Sequence, residues 1–178
     1  MITLTDTDVV RLLRKNNLNS DTLQENVVAK LREKGVKLAT AESCTGGLLS
    51  ERITAVSGAS DVFDFGVCTY ANEMKHKVLG VSNETLSVLG AVSAETAMQM
   101  AEGARNVSGA DLAVSTTGIA GPTPEKPVGL VYCGISTKDK SYAIKLMLGG
   151  SINMVNSRGY IRKLTSDAVL LTILSILQ

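Results

Sequence analysis

The 178-residue chain has no tryptophan, only six other aromatic residues, three prolines and a single histidine. Rings this scarce leave no stacking platform for single-stranded nucleic acid. Eighteen Lys and Arg oppose 17 Asp and Glu, for a formal net charge of +1. With no basic block anywhere, the chain carries no electrostatic footprint for a polyanion. No apolar run approaches the ~18 residues of a membrane span. The first six residues lack both the basic and the apolar region of an export signal. Three cysteines, Cys44, Cys68 and Cys133, are odd in number and far apart. That suits free thiols in a reducing cytoplasm better than a disulfide framework, and it lacks the paired spacing of a zinc site. The expectation is a cytoplasmic protein with no nucleic-acid or membrane partner, no metal and no cofactor. His76, between Lys75 and Lys77, is the only histidine on which a Ser-His or Cys-His site could be built, and it lies among cations.

What is present is ordinary for a globular domain: 44% hydrophobic and 20% charged residues, in a length suited to one core. Apolar spacing predicts helices over residues 7–15 and 22–34, the second stopped by Gly35. A strand is expected over 36–41, a helix over 45–56 and a strand over 62–70. Asn72 reads as the N-cap of a helix through 79, with another turn or two over 82–89. Ser93 caps a longer helix over 94–107. Strands are expected over 111–117, 128–137 and 141–148, the last two as a hairpin, before a final helix over 153–177. This order predicts one three-layer α/β/α domain, residues 1–178, with a mixed, partly parallel sheet and an antiparallel edge. Residues 1–20 read as a helical N-terminal extension. Two glycine-rich turns follow strands, so both are expected at the carboxyl ends of the sheet, where open α/β sheets bind ligands.

The first of these turns, Ser43-Cys44-Thr45-Gly46-Gly47, opens a helix. Backbone N–H groups at such a start suit an anion or a developing oxyanion. Ser43 is either a helix cap or a nucleophile, and Cys44 is a second candidate nucleophile that would want a histidine. In Tyr70-Ala71-Asn72-Glu73-Met74-Lys75, the lysine falls in the first turn of a helix. There the dipole and partial burial both favour its neutral form. Such a lysine can activate a serine directly or through the tyrosine hydroxyl. The alternative has Tyr70 packed at a sheet edge and Lys75 solvated. The second turn, Thr117-Gly118-Ile119-Ala120-Gly121, lacks the Walker lysine and is not a P-loop. It is either a phosphate cradle or an ordinary strand-to-loop turn. Arg158 and Arg162 on the last helix either pair with phosphate or face solvent.

Taken together, these segments resemble the C-terminal domain family of the competence/damage-inducible protein CinA, which includes stand-alone nicotinamide-nucleotide amidases. The resemblance runs from about Leu23 to the end. Five motifs carry it in order: Thr40-Ala41-Glu42-Ser43-Cys44-Thr45-Gly46-Gly47, Tyr70 to Lys75 as above, Gly90-Ala91-Val92-Ser93, Thr117-Gly118-Ile119-Ala120-Gly121-Pro122 and Lys126-Pro127-Val128-Gly129. It implies hydrolysis of the carboxamide of nicotinamide mononucleotide to nicotinate mononucleotide and ammonia, without metal. A Ser-Tyr-Lys arrangement would fall on Ser43, Tyr70 and Lys75. N–H groups from Thr45 through Gly46 to Gly47 would serve the oxyanion. Thr117, Gly118 and Gly121, or Arg158, would hold the phosphate. Two departures stand out: Pro122-Thr123-Pro124-Glu125 is shorter than the family's glycine-rich loop, and Asn156-Ser157-Arg158 replaces Gly-Asp-Arg. A non-catalytic nucleotide-binding or regulatory module of the same fold is the competing reading, and a thiol amidase using Cys44 is another. A homodimer is expected, since small α/β enzymes commonly form symmetric dimers. The final apolar helix, with Leu170, Leu171, Ile173, Leu174, Ile176 and Leu177, is either its interface or core.

Overall fold

The computed structural model describes residues 1–121, 126–149 and 157–178. In chain order it contains β1 (Thr3–Thr5), α1 (Asp6–Lys15), α2 (Leu23–Lys34), β2 (Leu38–Glu42), α3 (Leu48–Thr54), a 3-10 turn (Ala59–Asp61) and β3 (Phe63–Cys68). Then come α4 (Asn72–Leu79), α5 (Asn83–Val88), α6 (Ala94–Ser108), β4 (Leu112–Gly118), β5 (Leu130–Thr137), β6 (Ser141–Met147) and α7 (Ser157–Ile176). Several boundaries follow from the chemistry at their ends. Ser82 Oγ accepts from Thr85 N–H at 3.0 Å and Ser93 Oγ from Thr96 N–H at 3.2 Å, each supplying a partner that the helix start lacks. In α4 the cap falls on Ala71, and Asn72 is the first helical residue rather than the cap.

Alternation along the central strands sorts the chain into three layers. Leu38 of β2 and Leu112 and Val114 of β4 join one cluster with residues of α1, α2, α3 and α7. Ala39 and Ala41 of β2 and Ala113 of β4 face the other way, onto Leu79 of α4 and Met100 and Ala104 of α6. The second face is built of small residues, so α6 lies close to the sheet. A Cβ on Gly134 would meet the Ala97 carbonyl oxygen at 2.0 Å. Ser115 Oγ donates to the same carbonyl at 2.6 Å. On the first face, Arg52 of α3 and Asp167 of α7 form a buried ion pair at 2.8 Å.

The six strands run in the order β1-β6-β5-β4-β2-β3. β2 is parallel to both β3 and β4, and β1 is parallel to β6. β5 is antiparallel to both of its neighbours, so it alone runs against the rest. The β5–β6 hairpin forms as expected but is not the edge, because β1 pairs outside it, Thr3 to Thr5 against Lys145 to Met147. Three residues are too few for alternation to announce a strand. The N-terminal segment is thereby part of the sheet, and its helix starts from a capping box between Thr5 and Asp8. The Asp6 carboxylate accepts from Gly149 N–H at 2.9 and 3.0 Å, tying that helix to the end of β6.

The expected start of the last helix at 153 lies outside the described residues, as does the short loop 122–125. Within α7, Leu170 and Ile173 are fully buried in the single chain, so this apolar helix is core. Only Ile176 is exposed among its large apolar residues.

Candidate active site

The chain leaves β2 toward β3, then returns across it to place β4 on the other side of β2. The carboxyl ends of β2 and β4 therefore flank a topological switch point, where open α/β sheets form a crevice. Both glycine-rich turns are there. Glu42 stands opposite Thr116, Ser43 N–H donates to Thr116 O at 2.9 Å, and the Thr45 and Thr116 hydroxyls meet at 2.7 Å. The end of β3 joins them, since Thr69 N–H donates to Glu42 O at 2.9 Å.

Lys75 is delivered into this crevice by the first turn of α4 and is 1% exposed. Its Nζ lies 2.9 Å from Thr69 O, 3.1 Å from Tyr70 O and 3.2 Å from Ser43 Oγ. Burial pulls its pKa below the ordinary lysine value, against weaker upward pushes from the Cys44 and Cys68 sulfurs. The geometry has a consequence for the neutral amine. Two carbonyls can only accept, so they take its two N–H bonds and leave the lone pair facing the Ser43 hydroxyl. Ser43 itself is buried, 8% exposed.

The turn bearing Ser43 is held from three sides. Gly46 and Gly47 have φ of 59° and 93°, backbone that side-chain-bearing residues rarely adopt. The Arg162 guanidinium donates twice to the Thr45 carbonyl, at 2.9 and 2.6 Å. The buried Glu42 carboxylate accepts from the N–H groups of Gly47, Leu49 and Ser50 and from Ser50 Oγ, at 2.6–3.0 Å. Gly46 N–H donates to Ser43 O at 3.1 Å. Among the described residues the Thr45 N–H has no hydrogen-bond partner, and of the expected oxyanion donors it is the one still unengaged.

The remaining motifs converge on the same edge. Thr117 Oγ1 donates to Ala91 O at 2.6 Å and Lys126 Nζ to Val92 O at 2.9 Å, which docks the Gly90 to Ser93 loop on the second turn. Gly118 is half-buried and Gly121 is buried. Arg158 Nη2 donates to the Tyr70 hydroxyl at 3.1 Å, and a Cβ on Gly121 would stand 3.1 Å from Arg158 Nη1. Arg158, Tyr70 and Gly121 thus share the mouth of the crevice. Among the described residues no helix is long and apolar enough to cross a membrane, and no group of three His, Cys, Asp or Glu is gathered as a metal site requires.

The sequence pattern described as CinA C-terminal domain matches residues 20–176, nearly the whole chain. The chain belongs to this family. A competence-damage inducible protein of Caldanaerobacter subterraneus is 54% identical over 144 residues, covering 79% of this chain and 35% of that protein. A CinA-like protein of Kosmotoga olearia is 51% identical over 144 residues, with the same 79% and 35% coverage. The chain therefore spans about a third of the length of the curated relatives it matches. Among solved structures, a competence/damage inducible protein of Agrobacterium tumefaciens superposes with a TM-score of 0.82 at 38% identity, covering 89% of this chain and 96% of that one. A competence or damage-inducible protein of Enterobacter asburiae gives 0.83 at 28% identity, covering 90% and 99%.

In this CinA domain the residues singled out from sequence separate into groups. Ser43 and Lys75 are brought into hydrogen-bond contact. Tyr70 reaches Lys75 through its carbonyl, while the residue is 63% exposed and its hydroxyl meets Arg158. Cys44 is 5% exposed, and burial pushes its thiol up to about 12, which keeps it protonated. Cys133 is buried, and Cys68 is the exposed thiol. Glu42 and Arg162 hold the turn in roles that sequence spacing did not suggest. Glu42 read as the end of a strand, and its partners only become neighbours once the turn closes.

Proposed function

We propose that this CinA-family domain is a metal-independent amidohydrolase that deamidates nicotinamide mononucleotide, with Ser43 as nucleophile and Lys75 as its base. The observation that carries the reading is the placement of Lys75 Nζ by two carbonyls with its third position on Ser43 Oγ, 3.2 Å away. A buried, pKa-lowered lysine aimed at a buried serine has little structural purpose, and perturbed groups of this kind cluster at functional sites.

The steps balance without another reagent. Lys75 takes the Ser43 proton as Oγ attacks the amide carbonyl carbon, and the Thr45 N–H donates to the resulting oxyanion. One such donor is typically worth about 3 kcal/mol. The C–N bond then breaks as Lys75 returns the proton to nitrogen, releasing ammonia and leaving an ester on Ser43. Water, losing its proton to Lys75, hydrolyses that ester to the carboxylate and regenerates Ser43. The Tyr70 hydroxyl and Arg158, with the Thr117, Gly118 and Gly121 turn, would hold the nucleotide at the mouth, Arg158 supplying charge for its phosphate. The proposal includes action as a homodimer in the cytoplasm.

The test is incubation of the purified chain with nicotinamide mononucleotide and no added metal, with ammonia as readout. Wild type releases ammonia and Ser43→Ala does not, while both keep the same melting temperature. Undiminished release from Ser43→Ala overturns the serine assignment. A wild type that is thermally stabilised by the nucleotide but releases no ammonia is instead a binding module.

A further inference from the structure

Glu42 stands in register between Cys68 of β3 and Thr116 of β4. The ladder continues one residue further, through Ser43 N–H to Thr116 O and Thr69 N–H to Glu42 O, each 2.9 Å. Ser43 therefore stands between Thr69 and Thr117, with neighbouring strands ~4.8 Å apart. Carried on in that register, all three positions share the parity of Ala41 and Val67, on the face that carries α4 and its Lys75. Three hydroxyls line the carboxyl edge of the sheet, with the nucleophile in the middle.

Two of the three are engaged. Ser43 Oγ meets Lys75, and Thr117 Oγ1 donates to Ala91 O. Thr69 is 1% exposed and its Oγ1 has no hydrogen-bond partner among the described residues. A buried hydroxyl left unpaired lowers stability, and each such group in a native protein requires an explanation. Thr69 is also the residue whose carbonyl holds Lys75 Nζ at 2.9 Å. The vacant hydroxyl is thus adjacent in the sheet to the nucleophile and bound through its own backbone to the base.

We propose that Thr69 Oγ1 is a substrate contact that accepts a hydrogen bond from the –NH2 of a primary carboxamide seated on Ser43. This rests on the amidase reading. An amide nitrogen offers N–H donors and no acceptor, and a hydroxyl with no other partner accepts one of them. As the C–N bond breaks and Lys75 protonates the nitrogen, both original N–H bonds persist, so the contact is kept through departure of ammonia. A site built to bind a polar hydrogen rejects analogues that lack it, because its own polar group is left unpaired.

The experiment compares wild type, Thr69→Val, Thr69→Ser and Thr165→Val by ammonia release from nicotinamide mononucleotide and by melting temperature. Thr165 on α7 is the other buried hydroxyl without a partner among the described residues and serves as the control. Thr69→Val is expected to lose about 10–100-fold in kcat/KM while its melting temperature holds or rises, since no protein hydrogen bond is removed. Thr69→Ser restores most of the rate, and Thr165→Val leaves it unchanged. Wild-type turnover in Thr69→Val overturns the inference and leaves the amidase reading standing. So does a lowered melting temperature, which reveals an internal partner for the hydroxyl. Absence of ammonia from wild type itself overturns the amidase reading and this inference together.

Discussion

The Glu42 carboxylate accepts the Gly47 N–H at 3.0 Å, and with it the N–H groups of Leu49 and Ser50. The helix start that sequence alone presents as an anion site is filled by the chain's own anion. Glu42 serves as an N-cap reaching from the preceding strand, in place of the short side chain usually found at the cap position. Because Ser43 is the next residue, the same bonds fix where the proposed nucleophile leaves β2.

Replacing Glu42 tests that link. Glu42→Gln keeps the size but exchanges one acceptor oxygen for an NH2 group facing backbone donors. Charge-assisted bonds of this kind contribute about 1.5–3 kcal/mol each. A loss of about 2–4 kcal/mol in urea unfolding is expected, together with a fall in ammonia release. An unchanged unfolding midpoint removes the cap from the account.

Lys75 makes pH dependence informative. Its folded pKa lies below the usual lysine value because burial disfavours the charged amine. Between the folded pKa and the unfolded value of about 10.4, the unfolded chain binds the extra proton, so stability rises with pH through that window. Lys75→Met lacks this contribution. Urea midpoints measured from pH 7 to 10 should therefore climb in wild type relative to the variant. The rate of ammonia release climbs over the same window as the lysine loses its proton, and Lys75→Met releases none. Parallel urea curves for the two proteins contradict the lysine's lowered pKa.

The three thiols should differ in reactivity. Cys68 is exposed, whereas Cys44 and Cys133 are buried and burial raises both thiols. Iodoacetamide on the native protein is expected to label Cys68 first, with all three reacting only after unfolding. Cys44→Ala is expected to retain turnover within a few-fold, as a small buried residue without a catalytic role. Loss of activity there, with Ser43→Ala active, transfers the nucleophile to the cysteine.

Arg52 of α3 and Asp167 of α7 form a buried ion pair whose partners depend on each other. Arg52 donates to Asp167 at 2.8 Å and to Ser166 at 2.5 Å, and Ser20 Oγ donates to Asp167 at 2.7 Å. Removing Asp167 leaves a guanidinium buried without its counter-charge, a change that typically costs 3–5 kcal/mol, so Asp167→Ala is expected to lose about that much. Joint replacement of Arg52 and Asp167 by apolar residues of similar size should recover most of the loss. Urea unfolding of the two variants measures the difference.

Much of the chain was legible locally. Gly35 and Gly80 end α2 and α4 in left-handed conformation, and Ser82 and Ser93 cap their helices. These are contacts within four residues, which a sequence displays directly. The motifs around Ser43 and Lys75 were legible too, as candidates with plausible alternatives. The sequence did not display the three-residue β1 or the place of the hairpin inside the sheet. Nor did it show the hold of Arg162 on the Thr45 carbonyl, 117 residues away in the chain. Tyr70 shows the difference most clearly. Its motif singles out the hydroxyl, yet the bond to Lys75 comes from its carbonyl, which every residue possesses.

By itself, the sequence determined the order and approximate extent of the longer helices and strands. It does so because periods of 3.6 and 2 and the residues at element ends act over a few positions. Only the tertiary structure decided that β4 lies beside β2, that Ser43 and Lys75 meet across 32 residues, and that the Thr69 hydroxyl is buried without a partner among the described residues. Strand order and burial depend on how the layers close over one another, and a local pattern carries no record of that closure. The chemistry proposed for this domain depends on that closure, because burial favours the neutral lysine that can accept a proton and shared register sets the hydroxyls side by side.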